Sequence, residues 1–460
     1  MLLTFIVSFE LKAESPVTFS GYLRIRSYTT GGYFPPLAEA GQTQSEVKAG
    51  DHLFLTRLRI SIVFKPNDNV EVRWRFHAPH GYRWGANSAN DLVARTIYAF
   101  GILKTSFGNF SVGRISSDVN SAGLQTLGYS PTWGMGSQGY IFDSDSEHDA
   151  MLYRNDWDNG MGLKIFYAKL NSFTPSTSAS PRDADRDLFS VEPYYKWETG
   201  GVSLALQYER NNYLNNQNLT LHPRKNYFFT VNPAFVQNWS VGEDTSLALH
   251  AEAKYSGGKY QDSDPQDRNK PGPSHHQDGF GAYLDLALDY SSGTSTLAGW
   301  YFDGNSERQT APNSTDFRTG SERHSLVGPG EGFYPFVVFY LNHTAPAARL
   351  DNKLFGGKES PNHWALALMG NHKITDNVTL NYGVADFRRT RGYRLSDGRS
   401  VSKHLGTEFD LGIVVKFLEN VQFSSKVGVF SSGNYYKERY LNDVFDGTVW
   451  AWGNELIFNF

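Results

Sequence analysis

From residue 17 to the end of the chain, apolar and polar side chains alternate with a period of two along one run after another. Phe280 to Tyr290 shows it most plainly. Phe280, Ala282, Leu284, Leu286, Leu288 and Tyr290 fall on one side, and Gly281, Tyr283, Asp285, Ala287 and Asp289 on the other. Such alternation predicts a strand whose two faces meet different solvents. A helix would need apolar residues every three or four positions, and it would put Asp285 and Asp289 on one face.

The runs are joined by connections of two kinds. Short ones fall at 65–69, 105–109, 156–161, 198–201, 240–245, 291–294, 373–377 and 418–420, and carry the Gly, Asn, Asp and Pro of tight hairpins. Long polar ones fall at about 31–51, 79–92, 116–148, 171–186, 211–225, 256–278, 304–361, 386–404 and 432–446. The two kinds alternate strictly, which is the asymmetry of a transmembrane barrel with short periplasmic turns and longer outside loops. Eight short turns define eight hairpins, and one strand before them (about 17–29) and one after (about 447–460) bring the count to 18. The predicted fold is thus all-β: a single transmembrane antiparallel β-barrel over 17–460, with 16 or 20 strands as the alternatives. The weak point of the count is the 304–361 loop. Its run Gly332 to Tyr340 is unusually apolar for an exposed loop, while Pro335 argues against a central strand. That run folds into the barrel mouth or hides a further hairpin.

Composition fits this reading. Aromatics make up 15% of the chain, with 26 Tyr, yet only 40% of residues are hydrophobic. No stretch approaches the ~20 continuous apolar residues of a membrane helix. Tyr closes the apolar face of Leu163-Ile165-Tyr167, Leu204-Leu206-Tyr208 and Leu380-Tyr382, as expected where rings sit at headgroup level. There is no Cys, which excludes disulfides, thiolate metal sites and a Cys nucleophile. A net charge of −4 argues against a nucleic-acid partner. Residues 1–13 read as an export signal, apolar from Met1 to Phe9 with cleavage near Ala13, though without the usual basic start.

With each apolar face in lipid, the opposite face lines a lumen. The early strands then project Arg24, Arg26, Arg57, Arg59, Arg73, Arg75 and Arg95 inward, with Glu71 as the acid among them. An arginine facing lipid at mid-membrane costs ~2–4 kcal/mol, so an outward row of them is excluded. Inside a narrow aqueous pore they would concentrate anions; alternatively they pair with acids and stiffen the wall. The later strands turn Glu252, Asp285, Asp289, Asp303, Asp410 and Glu455 inward, with Lys254, Lys416 and Lys426. The third long loop, 116–148, is the candidate constriction loop. It carries Asp143, Asp145, Glu147 and Asp149, which would either bend inward opposite the arginines or stay outside in solvent. Arg388-Arg-Thr-Arg391 is a basic stretch suited to lipopolysaccharide phosphates or to plain solvation, and His275-His276 alone makes no metal site.

The last strand ends with Leu456, Phe458 and Phe460 on one face, which resembles the C-terminal signal read by the bacterial barrel-assembly machinery. Arg95 to Gly101 leading to Phe107 to Arg114 is similar to the hairpin preceding the constriction loop of bacterial outer-membrane porins. Leu405 to Leu411, Asn420, Val427 to Phe430, Thr56 to Arg59 and Pro66 to Asn69 resemble the 18-stranded alginate-export and related porin-like barrels. The resemblance implies an outer-membrane location in a Gram-negative bacterium and passive diffusion of small hydrophilic solutes, to which the inward arginines add an expected preference for anions. The alternative it leaves open is a selective channel for an acidic polysaccharide. The partners it implies are outer-membrane lipid and lipopolysaccharide, the assembly machinery, small polar or anionic solutes and a homotrimer. No Ser–His–acid or paired-carboxylate constellation stands out, so neither an enzyme nor a cofactor or metal is expected.

Overall fold

The computed structural model describes residues 17–31, 51–83, 95–115, 122–129, 132–133, 137–138, 148–171, 186–211, 226–263, 271–309, 317–319, 335–339, 362–440 and 447–460. Residues 1–13, expected to be an export signal, lie outside them.

Eighteen strands form one closed antiparallel sheet. They are β1 (Val17–Gly31), β2 (Asp51–Asn67), β3 (Val70–Arg83), β4 (Arg95–Thr105), β5 (Gly108–Ile115) and β6 (His148–Asp156). There follow β7 (Met161–Asn171), β8 (Arg186–Trp197), β9 (Gly200–Asn211), β10 (Asn226–Ser240), β11 (Ser246–Ser263) and β12 (Pro271–Tyr290). The last six are β13 (Gly293–Phe302), β14 (His363–Thr375), β15 (Val378–Arg388), β16 (His404–Leu418), β17 (Val421–Ser432) and β18 (Thr448–Asn459). Each pairs with its sequence neighbours. Closure comes from β1, which pairs with β2 on one side and β18 on the other, with Arg26 opposite Glu455. Phe460 completes the seam, its N–H donating to the Gly21 carbonyl at 3.0 Å and its carbonyl accepting from the Gly21 N–H at 2.8 Å. A closed sheet leaves no unpaired strand edge in hydrocarbon.

The eight short turns fall where the sequence puts them. At the first, the Asn67 side chain accepts from the N–H groups of Asn69 and Val70, both at 2.9 Å. The outward face is apolar and bare: Val112, Met151, Leu206, Leu284, Leu366 and Leu411 are 47–57% exposed. In water so large an apolar surface would drive association, whereas in a bilayer it is the solvated face.

Two connections differ from expectation, and a third takes one of its two expected courses. The 256–278 connection shrinks to 264–270, because β11 and β12 keep pairing up to Ser263 and from Pro271. Backbone hydrogen bonds extend the hairpin beyond the membrane, where side-chain contrast between the faces no longer marks it. The 386–404 connection holds a small hairpin, Tyr393–Arg394 with Ser400–Val401. In the 304–361 connection, residues 335–339 form a turn buried inside the barrel. There Phe336 and Phe339 pack on Trp300, Phe387 and Phe430, with Phe339 stacked on Phe387 at 3.8 Å. The inner wall is therefore not polar throughout; it is aromatic at Trp300, Phe387 and Phe430, where a loop folds onto it. A short helix, α1 (Asn434–Tyr440), adds buried Tyr435 and Tyr436.

Candidate lumenal site

Register places six of the seven expected arginine side chains on the inward row. Tyr22 pairs with Arg59 and Arg24 with Arg57, while Ser61 pairs with Arg75 and Val63 with Arg73. Arg24 and Arg26 share one carboxylate, Glu455, at 3.7 Å from Arg24 Nε and hydrogen-bonded by Arg26. The guanidinium groups of Arg24 and Arg59 lie over the Tyr22 ring at 5.5 and 5.4 Å, and Arg75 lies over Tyr98 at 4.6 Å. Arg75 Nε also donates to the Ser61 hydroxyl at 2.8 Å. The buried Nε groups of Arg57 and Arg59 meet no hydrogen-bond partner among the described residues. Arg73 is different: it donates to Glu71 at 2.5 Å, and that buried acid also faces Lys65 and Lys104 at 3.6 and 3.7 Å. Arg95 pairs in register with His77, but its side chain lies outside the described residues.

Facing this basic wall, β7 to β12 carry an acidic one, and part of the 116–148 connection rests on it. Residues 122–129 are anchored at both ends. The Gly123 N–H and the Thr126 hydroxyl donate to the two oxygens of Glu192 at 2.8 and 2.7 Å, and Lys164 Nζ donates to Thr126 at 2.9 Å. At the other end the Tyr129 hydroxyl donates to Asp285 at 2.6 Å, and the Tyr129 ring stacks on His250 at 3.3 Å. Asp285 also holds His250 Nδ1 at 2.6 Å and the Tyr283 hydroxyl. Gly123 is needed here. Its φ is +68°, and a Cβ would fall 2.0 Å from Glu252 Oε1, so any larger residue would push the segment off the wall. Glu252 itself accepts from Asn232 at 3.0 Å, and Asp289 accepts from Thr294 at 2.5 Å. Beside residues 127–129 lies a cavity of about 360 Å³ bordered by Asn238, His250, Asp289, Thr296 and Asn371.

The constriction-loop acids fare differently. Asp143, Asp145 and Glu147 lie outside the described residues. Asp149 is a correction: it belongs to β6, not to the loop, and pairs with Arg114 and Lys169 on the outward row. Its neighbour Ala150, buried on the inner face, fixes that orientation.

Asp410 faces inward with Glu408, and together they clasp the other infolded segment. The Val337 N–H donates to Asp410 at 2.8 Å; those of Val338 and Phe339 donate to Glu408 at 2.5 and 2.7 Å. Gly428 makes room, since a Cβ there would fall 2.5 Å from Asp410 Oδ1 and 2.9 Å from Val337 Cβ. Glu192, Lys164, His250, Tyr129 and Glu408 were not among the residues singled out by sequence. Glu192 is in phase with Ser190 and Tyr194 and out of phase with Phe189 and Val191, the one signal the sequence offers for it. Of the basic stretch, Arg388 points outward over Trp364 at 5.6 Å, Arg389 packs on Tyr435, and Arg391 pairs with Asp303 at 2.9 Å. Leu456, Phe458 and Phe460 share the outward face, with Phe460 59% exposed. Tyr382 sits in the periplasmic half of β15, bonded to Ser295 at 2.7 Å, not at the outer headgroup level. Among the described residues no three His, Asp or Glu converge as metal ligands.

No family model matches the chain, and no curated protein matches it. Solved structures do. OpdQ of Pseudomonas aeruginosa superposes with a TM-score of 0.51 at 9% identity, covering 96% of this chain and 98% of its own. OpdR of the same organism gives 0.52 at 11% identity, covering 96% and 95%. OpdK, solved with vanillate, gives 0.51 at 9%, covering 96% and 98%. These likenesses establish the outer-membrane barrel fold. They lend no support to the alginate-export comparison.

Proposed function

We propose that this chain is an outer-membrane porin through which small hydrophilic solutes diffuse passively, with preference for anions and for carboxylates in particular. One observation carries the reading: Arg24, Arg26, Arg57 and Arg59 crowd one wall of the lumen, where Glu455 meets Arg24 and Arg26. Guanidinium groups stay charged at any relevant pH and match a carboxylate two-pronged. At physiological salt the Debye length is ~8 Å, so charges on the wall of a narrow pore act across most of its width. Tyr22, beneath Arg24 and Arg59, sets an aromatic ring beside the charges. That suits solutes of the kind OpdK was solved with, an aromatic carboxylate. The segments 122–129 and 335–339 support restricted passage, since both fold onto the inner wall.

The test is the reversal potential of the purified protein in a planar bilayer under a salt gradient. Replacing Arg24, Arg57 and Arg59 with Gln should move the potential toward cation preference and weaken current block by a small carboxylate. An unchanged potential would overturn the reading.

A further inference from the structure

One charged group lies on the wrong face for a lipid-exposed wall. Asp187 stands on the outward row of β8, in line with Phe189 and Val191, which are 47% and 44% exposed, yet Asp187 is only 2% exposed. What covers it is basic. Lys169 Nζ lies at 3.3 Å, Arg210 Nη2 at 2.5 Å and Nε at 3.0 Å, and the Tyr167 hydroxyl donates at 3.1 Å. Register confirms the side, since Tyr167 pairs with Met151 and Phe189, and Tyr208 with Phe229, all on the outer surface. One row below, Tyr167, Phe189, Tyr208 and Phe229 form an unbroken line of rings with centroids 4.9, 6.5 and 5.0 Å apart. Such a line marks the headgroup level of a membrane. The charged row thus sits just above the hydrocarbon, at the end of the barrel that carries the long loops.

The row extends sideways along the register. Among the described residues, Arg114, Lys169, Arg210 and Lys259 lie on it with Asp149 and Asp187, four cations to two acids. The buried carboxylate does more than join strands. It fixes an ammonium and a guanidinium about one point while leaving their side chains 30% and 40% exposed. Fixing flexible cations in advance lowers the ordering cost of meeting an anion. The same composite recurs across the barrel, where Asp386 holds Arg388 and His404, each at 2.8 Å, above the outward Trp364.

We infer that the Lys169–Asp187–Arg210 cluster is a docking site for the phosphate groups of outer-leaflet lipopolysaccharide. The inference uses the membrane-spanning fold and not the proposed transport. At that depth the phosphorylated sugars of this lipid meet the acyl region, and a planar guanidinium beside an ammonium is the chemistry that grips a phosphate.

The experiment is native mass spectrometry of the folded protein in detergent, offered bisphosphorylated lipid A, its dephosphorylated form, phosphatidylglycerol and inorganic phosphate. Removing the two cations alone would orphan Asp187, so the informative variant is the triple Lys169→Met, Asp187→Asn, Arg210→Met. Its folding is checked by heat-dependent gel mobility, and Lys169→Arg serves as the conservative variant. Wild type and Lys169→Arg should retain bisphosphorylated lipid A about tenfold over the dephosphorylated form, and the triple variant should lose that preference. Equal retention of the two forms would overturn the proposal, as would equal retention of phosphatidylglycerol. So would a folded triple variant that keeps the preference, because the cluster would then only staple strands. Saturation by inorganic phosphate alone, with no gain from the lipid, would also refute a lipid site.

Discussion

Glu408→Gln should loosen the 335–339 segment from the wall. Glu408 is fully buried, and each of its oxygens accepts one backbone N–H, from Val338 and from Phe339. A buried neutral hydrogen bond contributes about 1 kcal/mol net, and a buried donor left without a partner costs a further ~1–3 kcal/mol. Gln keeps one carbonyl acceptor but presents an NH2 to the second N–H, so one bond is kept and the other is lost. The net loss is at least ~2 kcal/mol, or roughly 30-fold in the population of the released segment. Because the chain has no Cys, a single Val338→Cys reports that release cleanly. Val338 is 3% exposed, so the thiol should react slowly with a charged maleimide in the wild-type background and roughly 30-fold faster beside Glu408→Gln. Equal labelling rates in the two backgrounds would refute the clasp.

Gly123→Ala should detach residues 122–129, through the strained φ and the clash with Glu252, and raise single-channel conductance; an unchanged conductance would count against the docking described. Leu286→Arg places a cation on the outward face of β12 and should lower unfolding stability in lipid by ~2–4 kcal/mol, read from urea midpoints. Phe460→Ala should lower the yield of heat-modifiable barrel in cell envelopes, since Phe460 closes the seam with Gly21 and ends the outward row of Leu456 and Phe458; normal yield would dismiss its role as an assembly signal.

Much of the barrel is written in local alternation, which is why strand count and turn positions could be read. A residue such as Arg57 or Asp285 declares its side through neighbours one position away. The infolded segments are not written that way. Glu192 and Glu408 find their partners about 70 positions along the chain, in loops whose sequence carries no period. Alternation also fails where both faces are apolar. Trp300, Phe387 and Phe430 point inward yet are buried, because residues 335–339 cover them instead of water. Pro335 and the apolar run after it signalled that something unusual happens there, but not which wall receives it. Tyr382 shows the opposite limit: its side was legible and its depth was not, since β-propensity favours Tyr at any level of a strand. Asp187 could have been flagged as an acid in phase with Phe189 and Val191; recognising it needs the register that brings Lys169 and Arg210 beside it.

The most direct test of the central claim is a nitroxide scan of residues 284–289 in β12, with the folded protein in liposomes. Labels at Leu284, Leu286 and Leu288 should be relaxed by oxygen dissolved in the bilayer, and labels at Ala287 and Asp289 by a water-soluble nickel chelate, giving two profiles of period two in opposite phase. Profiles that rise and fall together, or show no period of two, would contradict a wall with lipid on one face and water on the other.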